Sequence, residues 1–266
     1  MIEKNAIDNS LDTMWVGRQI VCFKQTDSTN TQGKILVQNG AEHGTLVIAD
    51  QQTAGKGRLG RTWVSPSGES IYMTLILKPD ISVENVSMLT LVAAMAVVKA
   101  VEQLQITTDC VIKWPNDIVV NKKKVCGILT EMTTEQNQIQ GVLIGIGINA
   151  NTTEFAEEIR EIATSFYKET GCQVNRETLI AEVMNQFEKY YDLFSRTQDM
   201  SALVDDYNGK LVHYGQKVYL NDGYEKKCVK ALGIDERGAL LVEDEQGSVQ
   251  AVISGEISIR GLYGYV

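Results

Sequence analysis

The stretch with the clearest chemical content is QQTAGKGRLGRTW, residues 51–63, in which Gly55, Gly57 and Gly60 interleave with Lys56, Arg58 and Arg61. Glycine lets backbone N–H groups converge on an anion, and the basic side chains add charge. Between Gln51 and Gly68 there are three cations and no acid, within a chain of formal charge −9. This local inversion of sign points to a phosphate or carboxylate ligand; a solvated glycine-rich hairpin is the competing reading. The loop is not a Walker A sequence, because no GK[ST] follows, and it is not a Rossmann fingerprint.

Four shorter motifs could act with it. In KWPND (113–117), Pro115 ends a strand and Lys113, Asn116 and Asp117 project from one corner. Lysine suits a phosphate, aspartate a Mg²⁺ ion, and asparagine can bridge them, although an ordinary turn also favours Asn-Asp. In NKKKVCGIL (121–129), Lys122 and Lys123 read as a solvated turn, whereas Lys124 precedes apolar Val125 and is the one expected to face a pocket. GIGIN (145–149) sets Gly145 and Gly147 at alternate positions of an apolar strand, which weakens it unless a ligand or backbone approaches that face closely; a packing bend is the alternative. DSTN (27–30) offers more hydrogen-bonding groups at a strand-to-helix junction than one N-cap needs.

These motifs need a frame. Strand-like runs occupy 18–24, 45–51 and 71–78, and a helix is expected from Ser28 to a stop at Gly40. Residues 83–104 read as a long, mostly apolar helix lying on a sheet. CVIKW, DIVVN and KVCGILTEM follow as strands, the last two as a hairpin, and GVLIGIGIN as a central strand. Residues 176–195 form an amphipathic helix and 199–207 a candidate for another. After Val212 short strands at 216–221, 226–234, 239–243 and 248–253 alternate with turns such as NDGYE, DERG and DEQG, which suggests a small all-β barrel. The expectation is an α/β domain over 1–210 and a β module over 211–266.

Composition narrows the function. With 266 residues, 44% hydrophobic and 22% charged, the chain has ordinary globular values. The acidic balance argues against broad binding to nucleic acid or anionic membranes. No uninterrupted apolar run reaches the ~20 residues of a membrane span, and the first residues do not read as a signal peptide. Five dispersed cysteines and two histidines, with no CxxC, disfavour structural zinc, disulfides and histidine-based hydrolysis, and fit reduced cytoplasmic thiols.

Taken together and in this order, DSTN, Gln52 with AGKGRLGRTW, SPSGESIYMTL, KWPND, the Lys124 strand, GIGIN and SGEISIR resemble the biotin protein ligase family over nearly the whole chain from about residue 20. The resemblance implies an α/β (α+β) fold: a class II aminoacyl-tRNA-synthetase-like mixed sheet with helices, then an SH3-like β-barrel. It implies that biotin and MgATP give biotinyl-5′-AMP, and that biotin then passes to one lysine of a biotin carboxyl carrier domain, of acetyl-CoA carboxylase or pyruvate carboxylase. It allows a homodimer. A lipoate or octanoate ligase or transferase of the same fold, and a non-catalytic biotin-sensing repressor, are the rivals. No room is seen for a DNA-binding domain ahead of the first strand, so the monofunctional type without DNA binding is expected.

Carried over by position, the resemblance gives Ser28, Thr29, Asn30 and Gln52 to the ureido head of biotin, whose two donors and one acceptor match uncharged groups. The Gly55–Arg61 loop, with Lys56, Gly57 and Arg58, would fold over the biotin carboxylate and the ATP phosphates, Arg58 being the main clamp, helped by Arg61. Lys124 would meet the carboxylate or the adenylate phosphate. Lys113, Asn116 and Asp117 would handle triphosphate and Mg²⁺, and Asn149 the nucleotide. The loop's usual arginines are Lys56 and Leu59 here. No tryptophan stands around Ala163 to Phe166 to stack on adenine, which leaves Trp63 or another nearby aromatic for that place.

Overall fold

The structure, a computed structural model, describes residues 2–136, 138–221, 226–253, 258–261 and 265–266. The chain runs α1 (Lys4–Ser10), β1 (Ile20–Phe23), α2 (Thr29–Gln38), β2 (Thr45–Ala49), β3 (Ile71–Leu77), α3 (Met88–Gln103), β4 (Cys110–Lys113), β5 (Asp117–Val120), β6 (Lys123–Glu135) and β7 (Gln138–Ile148). It continues through α4 (Phe166–Thr170), α5 (Arg176–Thr197), α6 (Val204–Asn208), β8 (Lys217–Asn221), β9 (Lys226–Ile234), β10 (Leu240–Glu243), β11 (Val249–Val252) and β12 (Ser258–Gly261).

The first seven strands form one mixed sheet in the order β1-β2-β3-β7-β6-β5-β4, with only β1 and β2 parallel. Every residue of β2 and β3 is buried, as expected of strands covered on both faces. α3 and α5 pack on one face. On the other, Val37 of α2 joins Val47, Ile76 and Leu143 in a smaller apolar cluster. GVLIGIGIN is central as expected, because β7 is the fourth strand of seven.

By length and composition residues 83–103 could cross a membrane, with a mean hydropathy of 1.5. Here they open with a single 3₁₀ turn at Val83–Asn85, and the α3 that follows is buried on nearly every side, which explains its continuous apolar character. Among the described residues it is the one helix that passes that test.

The structure departs from the sequence reading at several places. α1 has too few residues to be helical unaided; Ile7 is fully buried and the helix packs against α5. After it, the buried Glu188 carboxylate accepts the backbone N–H groups of Met14, Trp15 and Val16. The helix expected at 199–207 begins only at Val204, because Asp199 Oδ1 accepts from Ser201 N–H and ties the preceding residues into a turn. The second sheet has five strands rather than four, in the antiparallel order β11-β10-β9-β8-β12. Residues 222–225 of the NDGYE turn and 254–257 of SGEISIR lie outside the described residues.

The two sheets meet at KWPND. Buried Trp114 donates from Nε1 to the Gly238 carbonyl at 3.1 Å, and Ile112 exchanges backbone hydrogen bonds with Lys210 and Val212. The strand that carries Lys113 is thereby fixed from both sides.

Candidate active site

α2 covers only part of the second sheet face, and the glycine-rich loop crosses the rest. The sequence makes room for both. Gly127 of β6 pairs with Gly147 of β7, and Gly145 stands opposite Leu129. A Cβ at Gly145 would lie 2.3 Å from Asn30 Oδ1, and one at Gly147 2.7 Å from the Trp63 ring. The alternating glycines of GIGIN therefore admit two side chains, not a bend. Gly147→Ala is expected to push the indole off the strands, to destabilise the fold by ~1–3 kcal/mol through overpacking, and to red-shift tryptophan emission. An unchanged spectrum and melting temperature would show that the ring does not rest there.

The loop is a loose hairpin. Gln52 bridges Ser65, Lys56 bridges Thr62, Trp63 N–H donates to the Gly55 carbonyl, and Leu59 at the tip is left-handed (φ 56°). Its neck is tied by Asp50, which accepts from Ser67 at 2.5 Å and from buried Arg176 at 3.0 Å. Burial alone would push the Asp50 carboxyl up, but those two donors and the guanidinium charge hold it below the usual carboxylate range.

Two adjoining cavities lie between loop and sheet. The deeper one, about 50 Å³, is lined by Thr29, Asn30, Gln52, Lys56, Gly57, Arg58 and Lys124 together with Trp63. Of the groups expected at a ureido head, Ser28 is absent from this wall; it is buried at the N-cap of α2, its N–H donating to Asp27. Gln52 Oε1 accepts from Thr29 N–H at 2.8 Å while its Nε2 donates to Ser65, so its amide is fixed.

The outer cleft, about 640 Å³, is lined by Arg58, Arg61, Trp63, Lys113, Asn116, Asp117, Lys124 and Asn149. Lys56 does not reach it, and Gly55 lines neither cavity: a Cβ there would lie 2.3 Å from the Trp63 carbonyl, so this glycine closes the hairpin. Arg58 Nη1 donates to Asn116 Oδ1 at 2.7 Å, and Lys124 Nζ lies 2.5 Å from Asp117 Oδ1 and 5.2 Å from the Trp63 ring centre. Trp63 Nε1 is buried with no hydrogen-bond partner among the described residues. Asn149 donates to the Thr164 carbonyl.

Lys113 is 6% exposed, and burial pushes its pKa down to about 7, with Asp117 opposing the shift and Arg260, Lys124 and Arg61 adding to it. Arg58 is also lowered, first by burial, with Asp117 opposing and Arg61 adding to the shift. Nearby, burial and the charge of Lys113 bring His213 down to about 4.

Arg260 and Tyr265 of the second sheet region also line the outer cleft and escaped assignment from sequence. Tyr265 places its ring 3.3 Å from Lys113 Nζ and donates its hydroxyl to Asp117 Oδ2. Arg260 could have been found, because it ends the SGEISIR motif. Nothing local marks Tyr265, or Phe155 and Ile159 in the apolar wall.

The fold and the paired, cation-lined cavities are those of a ligase, as comparison with known proteins shows. Residues 22–149 match the Biotin/lipoate A/B protein ligase family, and residues 213–260 match the Biotin protein ligase C terminal domain. The chain is 37% identical to the bifunctional ligase/repressor BirA of Bacillus subtilis over 97% of its own length and 79% of that protein. It is 30% identical to the biotin–[acetyl-CoA-carboxylase] ligase of Paracoccus denitrificans, over 89% of this chain and 99% of that one. The biotin protein ligase of Aquifex aeolicus, solved in complex with biotin and ATP, superposes with a TM-score of 0.81 at 32% identity, covering 92% of this chain and 99% of that one. The chain belongs to the biotin protein ligase family.

Proposed function

We propose that the chain activates biotin with ATP to biotinyl-5′-AMP and then transfers biotin to a specific lysine of a biotin carboxyl carrier domain. The observation that carries this reading is that Gly57, Arg58, Trp63, Asn116 and Lys124 line both cavities. A carboxylate ending one ligand and the α-phosphate of another would meet at that junction. The carboxylate oxygen would attack the α-phosphorus and release pyrophosphate; the carrier amine would then attack the adenylate carbonyl and release AMP. Arg58 and Lys124 would neutralise charge along this path, and the loop would shield the adenylate from water. Incubating the chain with biotin, ATP and a carrier domain of acetyl-CoA carboxylase should add one biotin mass to the carrier lysine; no ATP-dependent adduct would overturn the transfer step.

In this reading Thr29, Asn30 and Gln52 take the ureido head, Lys56 and Gly57 stand beside the acyl chain, and Lys113, Asn116, Arg61 and Asn149 serve the nucleotide, with Trp63 packed between the two ligands. Among the described residues no three His, Cys, Asp or Glu side chains converge. Mg²⁺ would enter with the ATP phosphates, which need only one or two protein carboxylates beside them; Asp117 is the carboxylate at hand once Lys124 and Tyr265 yield its oxygens. We assign 1–210 to the ligase domain and 211–266 to the barrel, in keeping with β8 opening the second sheet at Lys217. The free state of all the described cysteines fits the cytoplasm.

Two outcomes follow. If charged Lys113 receives the triphosphate, kcat/KM for ATP should fall as pH rises through about 7, because the free enzyme loses that proton. kcat should hold to higher pH, since bound phosphate favours the charged form. A flat kcat/KM profile through neutral pH would remove Lys113 from the role. The chain should also bind no promoter DNA specifically, because its net charge is −9 and its cationic stretches 56–61 and 113–124 commit Arg58, Arg61, Lys113 and Lys124 to the wall of the cleft. Sub-micromolar, sequence-dependent anisotropy changes at physiological salt would contradict this.

A further inference from the structure

Beneath the deeper cavity, Asn30 of α2 is 3% exposed, and every atom of its amide has a partner. Nδ2 donates to Glu131 Oε2 at 2.8 Å and to the Leu129 carbonyl at 3.4 Å, while Oδ1 accepts from Thr74 Oγ1 at 2.6 Å and lies against Gly145. Glu131 is itself held by Lys34, whose Nζ lies 2.7 Å from Oε1. An ionised carboxylate only accepts, so the amide face toward Glu131 must be the NH₂ face. Burial would push the Glu131 carboxyl up, but the hydrogen bonds from Lys34 and Asn30 and the charges of Lys34 and Lys56 keep it below the usual range.

We propose that Glu131, braced by Lys34, is a positioning residue that locks Asn30 with its oxygen and not its amide nitrogen toward the pocket, so that the site demands an N–H donor of the ureido ring at that point. The inference rests on the biotin reading above and adds a determinant of its specificity. The Oδ1 atom has two lone pairs and Thr74 uses one; the second is offered to the ligand. Glu131 itself does not line the cavity and acts only through Asn30.

The test is pyrophosphate exchange with biotin and with two cyclic carbamate analogues, each replacing one ureido N–H by oxygen. The unaltered chain should reject one of the two strongly. In Glu131→Gln the new amide can donate to Asn30 Oδ1, which permits the flip that turns Nδ2 to the pocket. The biotin KM should then rise roughly tenfold, equivalent to one lost hydrogen bond of ~1.4 kcal/mol, and rejection of that carbamate should shrink by a similar factor, with the ATP KM unchanged. A merely structural residue would not alter the ranking of the analogues. Lys34→Met, a change at a partly exposed position, should move both quantities in the same direction by roughly two- to threefold, a few tenths of a kcal/mol, and it decides the matter if Glu131→Gln does not fold. An unchanged biotin KM and unchanged analogue ranking in the variants would overturn the proposal, whereas absence of biotin-dependent exchange in the unaltered chain would overturn the biotin reading itself.

Discussion

Lys124→Ala is expected to slow single-turnover adenylation by about 10²–10³-fold, the usual cost of removing one group aimed at developing charge. Lys122→Ala and Lys123→Ala should change it less than about twofold. The three lysines are adjacent, yet only Lys124 lines the cavities, at the junction where both ligands would meet. Lys122 sits in the exposed turn with φ 65°, and Lys123 only opens β6. The loss should be larger than charge removal alone, because Asp117 Oδ1, now paired with Lys124 at 2.5 Å, would be left as an uncompensated anion facing the phosphates. Rapid-quench measurement of biotinyl-5′-AMP checks this. Equal effects from all three lysines would reduce the site to generic local charge.

Arg58→Ala should leave biotin binding measurable but release biotinyl-5′-AMP roughly 10- to 100-fold faster, in line with ~1.5–3 kcal/mol for a charge-assisted hydrogen bond. Arg58 bridges the loop tip to the body through Asn116 at 2.7 Å, so its loss removes both a cation and the latch that holds the loop across the cleft. The rate is read by trapping released adenylate after dilution into unlabelled ligand. Dissociation at the unaltered rate would refute the clamp. Asn116→Ala should show a smaller change in the same direction, since it removes the latch and leaves the guanidinium.

Most of the frame was legible in the sequence because its signals are local. Alternating or continuous apolar runs marked β1 to β7, Gly40 marked the end of α2, and the change of texture after Val212 marked the second sheet. The cation-rich loop and KWPND were readable because an acid-free stretch and a proline-closed corner are local too. What the sequence concealed depends on distant partners. α1 forms because α5 offers Ile7 a buried place. Tyr265 reaches Lys113 and Asp117 from roughly 150 residues away. Glycine spacing in GIGIN pointed to a close approach to β7 or a packing bend, but not to Asn30 and Trp63 as what approaches. Ser28 reads like its neighbours in DSTN, yet the turn into α2 leaves it out of the wall that Thr29 and Asn30 line.

The most direct test of the account is ATP–pyrophosphate exchange with biotin, lipoate and octanoate supplied separately. The fixed amides of Gln52 and Asn30 in the wall of the smaller cavity, with Arg58 and Lys124 where it joins the cleft, predict rapid exchange with biotin and exchange near background with the other two. Exchange driven equally well by lipoate or octanoate, or none with biotin, would contradict it.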